Sequence, residues 1–317
     1  MISLPPAVTR SVIDALRSLS SGLAKLPLTA RLGGAVENRA VPALARLTFR
    51  PGEHLVNGVR LIVPDTDGTG GEPFMVLGLY EQSEIRYLSG RLAAGDGVVD
   101  VGAHIGYLAL QAAAAVGEQG FVLAIEPTPA SAEVLRRAVA ANGFDERMRV
   151  VEAAVSDHSG TGSFHFSRSS PMMNTLDALD DAQYDRLDVT LTTIDEQLDA
   201  AGWPSIDLIK VDVEGHELAV LRGAQATIDR FPGLELMLEL QGGKPSLLAK
   251  SEETIGHLAA MSFEFHRLTP EGKLSPSSPE DLREQIRRPR WQDFLFNVVA
   301  TRLPPPDALV DRSWSVP

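Results

Sequence analysis

Cysteine is absent from the 317 residues. Disulfides, thiolate metal centres and cysteine nucleophiles are therefore excluded, and a reducing compartment is the expected setting. No apolar run approaches the roughly 18–20 residues of a membrane-spanning helix, and the N-terminus has neither the basic start nor the continuous apolar stretch of a secretory signal. A soluble, cytoplasmic protein without a membrane span is expected. Positive charge is scarce as well: 29 Lys and Arg against 42 Asp and Glu leave a formal net charge of −13, which opposes attraction to nucleic acid or anionic membrane. Nucleic acid is not an expected partner. Internal repeats and long low-complexity segments are also missing. What is present is 44% hydrophobic content, enough for a substantial core.

Residues 9–26 place Val12, Ile13, Leu16, Leu19, Leu23 and Leu26 at three- and four-residue spacings, the pattern of an amphipathic helix that packs onto a domain. Residues 40–80 read as short strands, with a hairpin turned at Asn57-Gly58 and a Gly-rich loop from Asp65 to Gly71. Together, residues 1–77 form an N-terminal extension of helix and short strands. From residue 81 helix and strand alternate: helix 81–93, strand 97–101, helix 105–116, strand 120–126, helix 129–142 and strand 150–155. A polar excursion over 159–193 follows and reads as a β-arm. Alternation then resumes with helix 194–201, strand 206–212, helix 215–230 and strand 234–240. Two strands near 262–268 and 294–301 close the sheet as an antiparallel pair. Helices between strands imply parallel pairing with right-handed crossovers, so residues 78–303 are expected to form one α/β domain, with 304–317 as a tail.

The segment Val98-Val99-Asp100-Val101-Gly102-Ala103-His104-Ile105-Gly106-Tyr107-Leu108 is a buried strand that ends in a glycine-bracketed turn and runs into an apolar helix. Gly102 and Gly106 allow positive φ or close approach of a ligand, and the helix start aims unpaired N–H groups at the turn. The spacing is Gly-x-x-x-Gly rather than the Gly-x-Gly-x-x-Gly of dinucleotide sites. This favours S-adenosylmethionine (SAM), which carries no phosphate. Ligand crevices of open parallel sheets lie outside the carboxyl ends of the strands. There the pattern places Asp100, Glu126, Asp212 and Glu239. Glu126 follows Gly106 by about 20 residues, the interval at which an acid grips adenosine ribose hydroxyls.

Several strings are more specific still: Tyr80-Glu81, Val99 to Tyr107, Ile125-Glu126-Pro127-Thr128-Pro129, Thr193-Ile194-Asp195, Phe294-Leu295-Phe296 and above all Ile206-Asp207-Leu208-Ile209-Lys210-Val211-Asp212-Val213-Glu214-Gly215-His216-Glu217 through Val220-Leu221-Arg222-Gly223-Ala224. Over roughly residues 78–300 the chain resembles the FkbM-type SAM-dependent methyltransferases. His104 and Thr128 stand where that family often carries Asn. The resemblance implies a seven-stranded, Rossmann-like methyltransferase sheet and methyl transfer from SAM to a hydroxyl of a sugar, polyketide or related natural product.

On this reading Asp100, Gly102, His104, Gly106, Tyr107, Glu126, Pro127 and Tyr80 are the cofactor candidates. An alcohol acceptor is a poor nucleophile at neutral pH and needs a general base or a metal ion. Asp212, Glu214 and His216 are the catalytic candidates. Asp212 and Glu239, with Glu214 as a third donor, could bind Mg²⁺ through hard oxygen ligands. Asn174 in the excursion is a candidate contact to cofactor or acceptor. Arg283, Arg287, Arg288 and Arg290 form a basic cluster read as a solvated face or an attractor of an anionic acceptor. Trp203 and Trp291 are read as structural. Expected partners are a small-molecule or glycan hydroxyl acceptor and a second copy of the chain as a homo-oligomer. Two rival readings stay open: a nicotinamide-dependent oxidoreductase, which shares the strand, Gly turn, helix and acid, and a silent SAM-fold scaffold.

Overall fold

The computed structural model of the chain describes residues 6–24, 39–65, 71–167, 174–175, 184–288 and 295–311. It divides into two compact units, Met1–Glu81 and Gln82–Pro317. The first contains α1 (Pro6–Ala24), α2 (Val41–Thr48), β1 (Gly52–Val56), β2 (Val59–Val63) and α3 (Glu72–Val76). The amphipathic pattern of α1 is realised by Ile13, which is buried among Val41, Ala45, Leu77 and Leu79. β1 and β2 pair antiparallel through Val56↔Val59. Their turn is Asn57-Gly58, with φ of 49° and 91°, the two-residue geometry whose twist suits a hairpin. The Gly-rich loop falls mostly on 66–70, outside the described residues.

The second unit opens with α4 (Gln82–Arg91), β3 (Gly97–Val101), α5 (Tyr107–Ala115), β4 (Phe121–Ile125), α6 (Pro129–Asn142) and β5 (Met148–Val151). β6 (Ala154–Val155), β7 (Gly160–Ser167), β8 (Asn174–Thr175) and β9 (Tyr184–Thr192) come next. The unit continues with α7 (Ile194–Ala200), β10 (Leu208–Val211), α8 (Glu217–Arg222), α9 (Gln225–Arg230), β11 (Glu235–Gln241) and α10 (Pro245–Ala260). It ends with β12 (Glu264–Leu268), β13 (Leu274–Ser277), α11 (Pro279–Ile286) and β14 (Leu295–Thr301).

Among the described residues the main sheet has eight strands, in the order β13-β12-β14-β11-β10-β3-β4-β5. β5, β4, β3, β10 and β11 are mutually parallel. β14 inserts antiparallel between β11 and β12. The seven expected strands are thus joined by β13, which hairpins onto β12 from within a Pro/Ser-rich stretch. The tail of the chain also returns here: Asp311 N–H donates to the Leu274 carbonyl at 2.7 Å.

Two further differences have local causes. The strand expected over 150–155 is not one strand, because β5 stays in the main sheet while β6 leaves it to pair parallel with β9 in a second sheet ordered β6-β9-β7-β8. This smaller sheet is the expected β-arm, with Phe164, Val189 and Leu191 packed on Ala154. The helix expected over 215–230 breaks into α8 and α9 at Gly223. A Cβ there would lie 2.1 Å from the Ser156 carbonyl oxygen, so only glycine lets β6 approach this closely.

Alternation along the strands decides what faces where. Val99, Val101, Leu123, Ile125, Ile209, Val211, Leu236 and Leu238 share one core with residues of α7–α11, including Leu198, Leu221, Ile255 and Leu282. The intervening residues, Asp100, Lys210 and Glu239, belong to the opposite face. After β3 the chain builds outward through β4 and β5, then returns past β3 to lay down β10 and β11. The topological switch point therefore lies between β3 and β10, where ligand crevices of such sheets form.

Candidate active site

Extending the registers Val101↔Ile125, Val211↔Val101 and Val211↔Leu238 by one residue places Gly102, Glu126, Asp212 and Glu239 at one level across the carboxyl ends of four adjacent strands. Asn297 joins the row opposite Glu239. The expected convergence of acids is a consequence of register.

On the β3–β4 side the site is a tied loop. Gly106 caps α5 with φ 89° and makes no side-chain capping bond. Glu126 is 6% exposed. Its Oε2 accepts the His104 N–H at 2.9 Å, and its Oε1 accepts the Thr128 N–H at 3.0 Å and the Thr128 hydroxyl. Pro127 lies between these anchors, and Tyr107 is buried at the start of α5. His104 holds φ 50°. A carboxylate oxygen carries two lone pairs, so Oε2 can accept a second hydrogen bond, as from a ligand hydroxyl. Both glycines take the positive φ expected of them, Gly102 at 80° and Gly106 at 89°, and both are also required by packing. A Cβ on Gly102 (φ 80°) would meet the Asp212 carbonyl oxygen at 2.1 Å, and one on Gly106 would meet Leu135 Cδ1 at 2.2 Å. They bring β10 and α6 in close.

On the β10–β11 side is a charged cluster. Lys210, 8% exposed, puts Nζ 3.5 Å from Asp100 Oδ1 and 3.3 Å from Asp212 Oδ2. Asp100, at 2% exposed, has its carboxyl raised by burial against the opposing pull of Lys210. It is an internal partner of the lysine. Asp212, Glu214 and Glu239, the three acids expected as metal donors, each place a carboxylate oxygen within 4.8 Å of the others. Glu214 sits at φ 53°. Burial, and then the charge of Asp212, pushes its carboxyl up to about 7. Gln241 Nε2 donates to Glu214 Oε2 at 2.7 Å and to Glu239 Oε1 at 3.0 Å. Oxygen donors alone form this cluster, which is the chemistry of Mg²⁺ rather than of a softer ion.

His216 Nε2 is 3.1 Å from Ser156 Oγ, at the base of the β-arm, and His216 is not in the three-carboxylate group. Tyr80 belongs to the N-terminal unit. Asn174 lies in β8, and Arg290, Trp291 and Phe294 lie outside the described residues. Arg283 and Arg287 pair with Glu280 and Glu252 at 3.3 and 2.5 Å, as on a solvated face. Trp203 is structural: its indole N–H donates to Asp199 at 2.8 Å, under the Arg230 guanidinium.

Much of the long motif is scaffold. Asp207 Oδ2 accepts the Gly97 N–H at 2.8 Å. Asp195 accepts the N–H groups of Ala226 and Thr227 at 2.9 and 2.8 Å. Thr193 caps α7 through the Glu196 N–H. Glu217 is buried and accepts the Gly215 N–H at 2.9 Å, closing the loop that carries Glu214. Sequence reading passed over Lys210, Gln241 and Asn297. A lysine two residues from a strand-end acid was the available signal for the first, whereas nothing local marks Gln241.

Burial pushes Glu217 up to about 7, from an ordinary value of 4.5. The folded state therefore holds this proton more tightly than the unfolded chain. Its contribution is intact below pH about 4.5 and is lost as pH rises to about 7. Glu217→Gln keeps an oxygen for Gly215 and removes the charge. The variant should be more stable than the parent above pH 7, by up to about 3 kcal/mol, and equal to it near pH 4, as read by denaturant unfolding at both pH values. An equal difference at the two would contradict the assignment.

A doubly wound α/β domain with a tied glycine loop at its switch point and carboxylates across it has the build of a cofactor-binding domain. The methyltransferase FkbM domain model matches residues 100–278, and the chain belongs to that family. It is also similar to the 2-O-methyltransferase NoeI of Sinorhizobium fredii, 32% identical over 119 residues that cover 33% of this chain and 48% of that protein. The chain thus spans about half the length of the curated relative it matches. Among solved structures, a SAM-dependent O-methyltransferase of Thermotoga maritima aligns with a TM-score of 0.39 at 14% identity, covering 83% of each chain. Aeropyrum pernix fibrillarin with bound SAM aligns at 0.38 and 12%, covering 66% of each. Among the described residues no helix is long and apolar enough to cross a membrane.

Proposed function

We propose that the chain is a SAM-dependent O-methyltransferase acting on a hydroxyl of a glycan or related small molecule. The observation that carries this reading is the juxtaposition, at one switch point of an FkbM-family domain, of the Glu126-tied loop with the Asp212–Glu214–Glu239 cluster. Bound SAM supplies an electrophilic methyl group. Glu126 holds the ribose, and the Gly102–Gly106 loop shapes the pocket for the rest of the cofactor. Glu214 is the proton acceptor for the attacking hydroxyl, because a carboxyl near 7 is matched to that task at neutral pH. Asp212, fixed by Lys210, and Glu239 orient the hydroxyl in line. The same three carboxylates would hold Mg²⁺, which would polarise the hydroxyl. The hydrogen bond between His216 and Ser156 favours a role in anchoring the β-arm over proton transfer.

Calorimetric titration with SAM, S-adenosylhomocysteine and NADH separates this reading from the oxidoreductase. Adenosyl ligands are expected to bind at micromolar strength, and Glu126→Ala to weaken them at least tenfold, about 1.4 kcal/mol. Binding of NADH alone would overturn the proposal. Transfer of labelled methyl to a panel of p-nitrophenyl glycosides then separates enzyme from scaffold. In chelator, kcat should rise with pH through a value near 7 as Glu214 ionises. Added Mg²⁺ should move that limb to lower pH if the carboxylates bind it, since a cation favours their charged forms. A limb unmoved by Mg²⁺ would remove the metal from the site.

A further inference from the structure

We infer that Gln241 is a positioning residue that sets the spacing of Glu214 and Glu239 and thereby aligns the acceptor hydroxyl. The inference rests on the function proposed above and concerns a residue outside the long motif.

Gln241 closes β11 beside the cluster and is 6% exposed. Its backbone is clamped to α10: the Gln241 N–H donates to Ser251 Oγ at 2.9 Å, and the same hydroxyl donates to the Gln241 carbonyl at 2.8 Å. With the main chain pinned from both sides, the side-chain amide has little freedom. Its Nε2 carries two hydrogens, and both are spent on carboxylates of different elements, Glu214 Oε2 in the β10–α8 loop and Glu239 Oε1 in β11. A single nitrogen bonded to both acids brings two like charges together and neutralises neither. Lys210 grips Asp212 and Asp100, so each acid of the cluster has a donor. Glu214 most needs one, because its backbone is held at φ 53°, a conformation costly for a residue with a side chain. Without the amide, Glu214 and Glu239 would repel and Glu214 would swing outward. A displacement of about 1 Å at a reacting group can lower a rate about a hundredfold.

Two near-isosteric variants test this. Gln241→Met keeps the volume and removes the donor, while Gln241→Glu keeps the shape and adds a fourth carboxylate. With the p-nitrophenyl glycoside that the parent methylates, Gln241→Met should lower kcat about 10- to 100-fold, and Gln241→Glu should lower it further. SAM affinity should stay within about twofold, and the thermal midpoint of Gln241→Met close to that of the parent. A crystal structure of Gln241→Met should show the Glu214 and Glu239 carboxylates moved apart. A residue that merely fills space would leave kcat unchanged in Gln241→Met, and unchanged carboxylate positions or a kcat within twofold of the parent overturns the inference. Should the parent bind no SAM and methylate no glycoside, the proposed function falls, and the crystallographic comparison still decides whether Gln241 sets the spacing.

Discussion

Replacing Glu214 with glutamine is expected to lower the rate of methyl transfer about 10²- to 10⁴-fold, the range that a positioned acid or base contributes, while SAM affinity stays within a few-fold. The two halves of the site are built from different elements. Cofactor contacts come from the β3 and β4 ends, where Glu126 is tied to His104 and Thr128. Glu214 stands in the loop after β10, held by Gln241 from β11. The substituted amide preserves size and leaves the cofactor loop untouched, so a selective loss of kcat is the signature of a group acting on the acceptor. Rapid-quench transfer of labelled methyl, together with calorimetric SAM binding, checks both parts. Equal losses of binding and rate would move Glu214 to the cofactor side, and an unchanged rate would remove it from the chemistry.

Gly102→Ala is the substitution with the largest expected structural cost. Two penalties coincide at this residue. The backbone is left-handed at φ 80°, which costs a residue with a Cβ roughly 1–2 kcal/mol. The new methyl would stand 2.1 Å from the Asp212 carbonyl oxygen, a main-chain atom that cannot rotate away, and such overpacking costs roughly 1–3 kcal/mol. Together these give a loss of about 2–5 kcal/mol, a large share of the stability of an ordinary domain. Relief requires β3 and β10 to separate at the switch point, so the Lys210–Asp212 contact and the cofactor loop should fail along with stability. Urea unfolding measures the first effect and SAM titration the second. A variant within about 0.5 kcal/mol of the parent would show that the strand ends can yield there. The result would also separate two explanations for the glycine, because a ligand-approach role predicts lost binding with stability retained.

The alternating pattern from residue 81, the placement of acids at strand ends and the family strings were legible in the linear sequence, because each depends on local periodicity or short spacing. Strand 97–101 and helix 129–142 have the bounds that pattern alone assigns. The places where pattern reading departs from the structure are those where a distant partner decides. Val150 to Val155 reads as one strand, yet it serves two sheets, because β9, some 30 residues later, captures Ala154 and Val155. The helix after β10 breaks because β6 must pass Gly223. β13 exists because β12 presents an edge for a Ser/Pro-rich segment that has little strand character of its own.

Within the site, sequence by itself determined which chemical groups stand at the carboxyl ends of the strands, since strand boundaries follow from hydrophobic runs and an acid after such a run must lie at its end. Only the tertiary structure decided how those groups are shared out. Register aligned Glu239 with Asp212 and brought Asn297 alongside. Packing of β10 against β3 turned Asp100 into the buried partner of Lys210. The bond to Ser156 took His216 to the β-arm, and the end of β11 delivered Gln241 to two carboxylates at once. The physical reason is one of range. Hydrophobic periodicity is written in neighbouring residues, whereas a hydrogen bond between side chains 27 residues apart, as from Gln241 to Glu214, exists only after strand order and register have been set.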